Sequence, residues 1–205
     1  MVLMARKEKP EVREVEILNA CEKLYENMNF RDVTVKLIGE EISCSRPSIY
    51  NYFASKEEIF LRLFEREYLS WCEELEKIGE GDVTPDALPG KLARSLEKRR
   101  LMLKLLAVNL YDMEENSRIE RLVSFKKAYG KSAALFDGLL KKAFPGREAA
   151  ERRQMLTAAF QLLHGVYPYA HATEKQKEAM DIAGIRHDNG SIYELSLAGL
   201  GMILR

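Results

Sequence analysis

The chain has 205 residues, enough for one sizeable core or two small ones, and its 31% charged and 46% hydrophobic residues are those of an ordinary globular protein. Lys plus Arg and Asp plus Glu stand at 32 each, so net charge points to no partner. Cys21, Cys44 and Cys72 form no CxxC and read as free thiols, no apolar run approaches the ~18 residues of a membrane span, and MVLMARKEKP lacks the apolar stretch of a signal peptide, so a cytoplasmic protein with no membrane partner is expected.

The pattern is helical almost throughout. Ile17, Cys21, Leu24, Tyr25 and Met28 recur at spacings of three and four, one apolar stripe on a first helix. Asn29 can end it, and Phe30 folds back toward the core. Thr34 is a good N-cap for a short helix over 35–42, with Val35, Ile38 and Ile42 on one side. Ser45 caps a third helix, 46–52, with Pro47 in the first turn, where a missing N–H costs nothing. Four hydroxyls followed three residues later by Glu or Gln open further helices: Ser55 with Glu58, Ser117 with Glu120, Thr173 with Gln176, and Ser191 with Glu194. They predict helices near 56–78, 118–143, 174–183 and 192–204. The run 87–114 reads as helical with one bend or break, and 147–171 as another helix with a kink near Gly165 and Pro168. Strand signals are missing, so the fold class is all-α: a helix-turn-helix unit over 1–54, then a helical bundle over 55–205.

The two short helices are separated by Ser43-Cys44-Ser45, the length of the turn in a DNA-binding helix-turn-helix. Gly39 is small where the second helix must come close. Ile38, Ile42, Cys44 and Ile49 can form the seam, which leaves Arg46, Pro47, Ser48, Tyr50 and Asn51 for phosphates, base edges and thymine methyls. Lys56 opens the following helix, where its charge and the helix N-terminus can meet one phosphate together. Tyr52 and Phe53 read as core.

From Ile17 to about Phe64 the sequence resembles the N-terminal domain of TetR-type transcriptional repressors. The resemblance rests on Phe30, the Thr34-Val35 start, Ile38, and above all SRPSIYNYFASKEEIF, which fits S-x-x-x-[IL]-Y-x-[YH]-F-x-[ST]-K-[ED]-[ED]-[IL]. It implies DNA contact by Thr34, Lys36, Ser45, Arg46, Pro47, Ser48, Tyr50, Asn51 and Lys56, a dimer on a palindromic double-stranded operator, and release by a small molecule. Two features depart from the family. Ser43 stands where the turn usually has Gly, a conformation that costs a serine about 1 kcal/mol. The first 60 residues carry nine Lys or Arg against eleven Asp or Glu, a net −2, so their basic groups must be sorted onto one face; Arg6, Lys7 and Lys9 are a candidate basic arm.

The bundle offers Tyr68, Trp71, Leu106, Asn109, Met113, Phe125, Tyr129, Phe160, His164 and Tyr167 as candidate effector contacts, although their spacing also suits plain core. His164 and His171 lie two turns apart with no carboxylate between them, which speaks against a metal. There is no Gly-rich phosphate loop, no GxSxG and no HExxH, so neither a cofactor nor a catalytic activity is expected. The last segment, SIYELSLAGLGMILR, has almost no charge and reads as a helix buried all round, with 149–170 as its mate in a four-helix dimer interface. Ala198, Gly199 and Gly201 would let the partner helix approach.

Overall fold

The computed structural model describes residues 10–108, 110–186 and 190–205. Eleven helices are found among them and no strand: α1 (Pro10–Asn27), α2 (Val35–Glu41), α3 (Arg46–Tyr50), α4 (Lys56–Glu80), α5 (Leu88–Glu97), α6 (Arg100–Leu106), α7 (Leu110–Glu115), α8 (Ile119–Ala143), α9 (Ala149–Ala170), α10 (Glu174–Ile182) and α11 (Ile192–Ile203). The chain divides into two units. Unit one runs to Glu65 and takes up the segment ending at Phe125; unit two is Arg66–Val108 with Lys126–Arg205. The boundaries fall inside α4 and α8, so each of these helices carries residues of both units. The basic arm Arg6, Lys7 and Lys9 lies outside the described residues.

In unit one the predicted stripe of α1 is the buried one, with Ile17, Cys21 and Tyr25 at or near zero exposure. Tyr25 meets Phe60 edge-on at 5.0 Å, and Phe30 turns back onto the same ring at 4.6 Å. Each such ring buried contributes about 1.5–3 kcal/mol. Phe64 and Phe125 pack at 5.2 Å. α2 packs on α1 and α3 on α2.

Unit two is built around α11, which lies against α5 and α9, while α6 also packs on α9. Ile192, Ser196, Leu200 and Leu204 form its buried side. The expectation that this helix is buried all round fails within one chain: Leu197 and Met202 face outward, Met202 at 65% exposure, because α5 and α9 cover one side only. Gly199 does permit close approach, but to its own chain, since a Cβ there would sit 2.6 Å from Leu162 Cδ2.

Two further expectations are corrected. The run 87–114 breaks twice, not once. The first break falls at Lys98–Arg99, where the Arg99 guanidinium reaches Glu74 at 3.0 Å and Glu67 at 3.8 Å. Ser117 does not cap α8. Its hydroxyl donates back to the Met113 carbonyl at 2.7 Å, and the Arg121 and Leu122 N–H groups in the first turn of α8 bond the Arg118 carbonyl. Thr173 with Gln176 and Ser191 with Glu194 form both halves of their boxes, and Glu148 with Glu151 adds one not predicted. α9 is continuous to Ala170: Pro168 falls in its last turn, where it deprives only the His164 carbonyl of a helical partner. No helix among the described residues is long and apolar enough to cross a membrane.

Candidate nucleic-acid interface

The turn between α2 and α3 is set by three local choices. The Thr34 hydroxyl accepts from the Leu37 N–H at 3.2 Å and starts α2. At its end the Cys44 N–H bonds the Gly39 carbonyl at 2.7 Å and the Ser43 N–H bonds that of Glu40 at 3.4 Å. This is the Schellman closure, in which the first of the two donor residues takes a left-handed conformation. Ser43 supplies it with φ 53°. Gly39 has no Cβ because one would stand 2.4 Å from the Cys44 carbonyl oxygen. Ser45 then caps α3, accepting from the Ser48 N–H at 3.4 Å.

α3 presents two different sides. Ile49 is fully buried, and Phe53 just beyond the helix is buried with it, while Tyr52 is half-buried. Arg46, Pro47, Tyr50 and Asn51 are exposed, Tyr50 at 53%, and Ser48 is half-buried. Thr34 and Lys36 are exposed at the start of α2, Lys36 within 3.5 Å of Glu40. Lys56 is turned inward: its ammonium donates to the Phe30 carbonyl at 2.9 Å and lies 4.2 Å over the Phe30 ring. Its charge is thus tied to the segment between α1 and α2, a fixed role the sequence did not suggest.

Five residues hold this unit in place by contacts the sequence did not suggest. Glu58, fully buried, takes a two-point contact from Arg118 at 2.8 and 2.9 Å and the Ala54 N–H. Arg118 also donates to the Tyr52 carbonyl at 2.9 Å, just past α3. Glu14 accepts from Arg121 at 3.0 and 3.1 Å and from Arg62 at 3.1 Å, and Arg121 lies 5.4 Å over Phe53. Burial pushes both carboxyls up, but the guanidinium contacts outweigh it and hold each below 4.5. Glu58 had a sequence signal, as the third residue of a capping box. Its N–H does bond the Ser55 hydroxyl, at 3.0 Å, while its carboxylate is spent on Arg118 and Ala54.

The effector candidates separate into three groups. Tyr68, Trp71, Tyr129 and Phe160 come together with Phe136 in unit two, ring centres 5.5–6.4 Å apart in successive pairs. Trp71 donates to the Ser95 hydroxyl at 3.1 Å. Burial raises the Tyr68 hydroxyl well above its usual range. Leu106 is buried in the same unit, and its carbonyl accepts from His164 Nδ1 at 3.2 Å on an otherwise exposed ring. Tyr167 stacks on His171 at 4.5 Å instead of joining the cluster. Met113 and Phe125 are buried in unit one, and Asn109 lies outside the described residues. Among the described residues no three His, Cys, Asp or Glu are placed to hold a metal.

Two family models match successive parts of the chain. Residues 17–63 match the family model described as bacterial regulatory proteins, tetR family, and residues 65–189 match tetracyclin repressor-like, C-terminal domain. An uncharacterized HTH-type transcriptional regulator, YfiR of Bacillus subtilis, is 35% identical over 74 residues, 36% of each chain, so the match spans about a third of that relative's length. The fold is similar to that of FadR from Bacillus subtilis in complex with stearoyl-CoA (18% identity, 93% of this chain and 97% of that one, TM-score 0.60). It is also similar to FadR from Bacillus halodurans (16%, 97% of each, 0.62) and to Thermus thermophilus FadR in complex with lauroyl-CoA (19%, 94% and 93%, 0.57). With a helix-turn-helix in its N-terminal region and family models matching residues 17–63 and 65–189, the chain belongs to the TetR family of transcriptional regulators.

Proposed function

We propose that the protein is a homodimeric repressor that binds a palindromic DNA operator and leaves it when a small molecule occupies its helical bundle. The observation that carries the DNA-binding part is the two-sided α3: Arg46, Pro47, Tyr50 and Asn51 stand in solvent while Ile49 is sealed in the core. Arg46 can grip a guanine edge with two donors, Asn51 an adenine edge, and Tyr50 and Pro47 offer flat apolar surface to a thymine methyl or sugar. Thr34, Lys36, Ser45, Ser48 and Lys56 would meet the backbone; Lys56 must first give up the Phe30 carbonyl. On this reading 1–54 binds DNA, and 55–205 binds the effector and dimerises. Two-fold symmetry then sets the two α3 helices about 34 Å apart, or a multiple of that. The outward side of α11, with Leu197 and Met202, supports the dimer. We assign the protein to the cytoplasm and assign it no catalytic activity.

Tyr68, Trp71, Tyr129 and Phe160, with Leu106, His164 and Tyr167 of the same unit, are the proposed effector contacts. Asn109, Met113 and Phe125 remain candidates. The acyl-CoA carried by two of the FadR structures makes long-chain acyl-CoA the first class to try. α4 provides a covalent route, since it begins at Lys56 and carries Tyr68 and Trp71. A ligand uses it only by binding the DNA-bound and free forms with different affinity. The close ring contacts at Trp71 favour a second reading, a regulator with a filled bundle and no effector.

A band shift on DNA upstream of the protein's own gene tests the main reading. Arg46→Ala should weaken specific binding by about 1–3 kcal/mol, and Tyr50→Ala should weaken it too. Wild-type affinity in both variants refutes the assignment. A thermal-shift screen separates the second reading, which predicts no stabilising compound.

A further inference from the structure

Lys77, Lys91, Arg94 and Lys98 converge on one cleft of unit two, about 290 Å³ in volume, together with Glu74, Ile78, Gly81 and Ser95. The spacing of the α5 residues explains the convergence. Lys91 and Arg94 of α5 and Lys98 at its C-cap are three and four apart, so they share one side, and Lys77 of α4 lines the same cleft. From these groups we infer a binding site for a phosphate-bearing small molecule, separate from the aromatic cluster and independent of the effector reading above.

Three observations favour a ligand over a merely solvated row of lysines. First, several cations of unit two are paired with acids, Arg99 with Glu74, Lys131 with Glu76 and Arg152 with Asp137, whereas in the cleft the Lys91 ammonium donates to the Asp82 backbone carbonyl. Lys77 and Lys98 have no acidic partner among the described residues, and Arg94 lies over the Tyr193 ring at 5.2 Å. Second, the single carboxylate of the lining does not neutralise the cleft. Glu74 is held by Arg99 at 3.0 Å, and its other oxygen is withdrawn from solvent. Third, the cations line one shallow, open depression of the surface. Like charges crowded in a cleft raise the local potential, and a di- or trianion lowers it at several ammonium and guanidinium groups together. The volume suits a compact phosphate or diphosphate group with a small organic body. The cleft also has a reporter. Ser95 in its wall accepts from Nε1 of Trp71, the only tryptophan, and donates to the Leu92 carbonyl at 2.7 Å.

Titration calorimetry of the full chain with inorganic pyrophosphate and inorganic phosphate, at ionic strength fixed with sodium chloride, tests the assignment. Trp71 fluorescence is followed in parallel. One saturable site per chain is expected, and Lys77→Gln with Lys98→Gln should weaken it by about tenfold or more at an unchanged melting temperature. Lys131→Gln removes a cation outside the cleft and should leave the affinity alone. If the double variant does not fold, Arg94→Gln alone should produce the loss. No saturable heat, unchanged affinity in the cleft variants, or an equal loss in Lys131→Gln overturns the site.

Discussion

Ser43→Gly should stabilise this protein. Ser43 holds φ 53° at the closure of α2, a conformation that costs an L-residue about 1–2 kcal/mol. Its hydroxyl makes no hydrogen bond among the described residues and its side chain is exposed, so the substitution removes no contact. The two closing bonds, Ser43 N–H to Glu40 and Cys44 N–H to Gly39, are backbone bonds and survive. Against this, glycine frees the unfolded chain, which offsets about 0.4–1 kcal/mol. The net gain is about 0.5–1 kcal/mol, or about 1–4 °C in melting temperature for a chain of this size. Ser43→Ala is the control, because alanine keeps the left-handed penalty and should give no gain. Urea unfolding followed by circular dichroism reads both. A glycine variant at or below wild type, or an alanine variant that matches it, refutes the account of the turn.

The same turn predicts that Gly39→Ala loses about 1–3 kcal/mol, since the new methyl would meet the Cys44 carbonyl at 2.4 Å and backbone must move; urea unfolding again decides. Glu58 has a folded pKa below its ordinary 4.5, so its contribution is present above that value and is lost as pH falls through the folded one. Glu58→Gln should therefore lower stability near neutrality and flatten its fall in acid, and parallel pH profiles for the two proteins would sink the argument. Met202→Glu, on the outward side of α11, should give a folded chain with a lower solution mass and weaker operator binding, whereas an unchanged mass at micromolar concentration would remove that side from the dimer interface. Leu200 and Gly199 are poor sites for this test, as both lie against their own chain.

Much of this was legible in the sequence because it is local. Cap spacing, apolar period and the αL demand at Ser43 are carried by neighbours in the chain, and they placed α2, α3, α10 and α11 to within two residues. What was not legible is tertiary. Nothing near Glu58 announces Arg118, sixty residues away, or turns Lys56 inward to the Phe30 carbonyl. Ser117 looked like a cap because its sequence context is that of one, but the carbonyl of Met113 at the end of α7 competes for its hydroxyl. The outward face of α11 was invisible for a related reason: a helix with almost no charge reads as buried everywhere, and composition cannot tell which neighbour covers which side.

The charge balance of the N-terminal region resolves in the same terms. A net −2 over the first 60 residues is a poor start for binding a polyanion. The count is misleading because five of the eleven acids are held in ion pairs. Glu14 is shared by Arg62 and Arg121, Glu58 is held by Arg118, Glu41 by Lys23, Glu40 by Lys36 and Glu16 by Arg13. Three of those arginines, Arg62, Arg118 and Arg121, come from beyond residue 60, so a window of sequence that stops there counts the acids and misses their partners. Meanwhile no Asp or Glu occurs from Ile42 to Lys56, the span that includes the turn and all of α3. At the Debye length of physiological salt, about 8 Å, a phosphate at α3 responds to Arg46 and the exposed N–H groups beside it far more than to a paired carboxylate elsewhere in the unit. On the proposed reading, local sorting of charge, not its total, suits this surface to DNA.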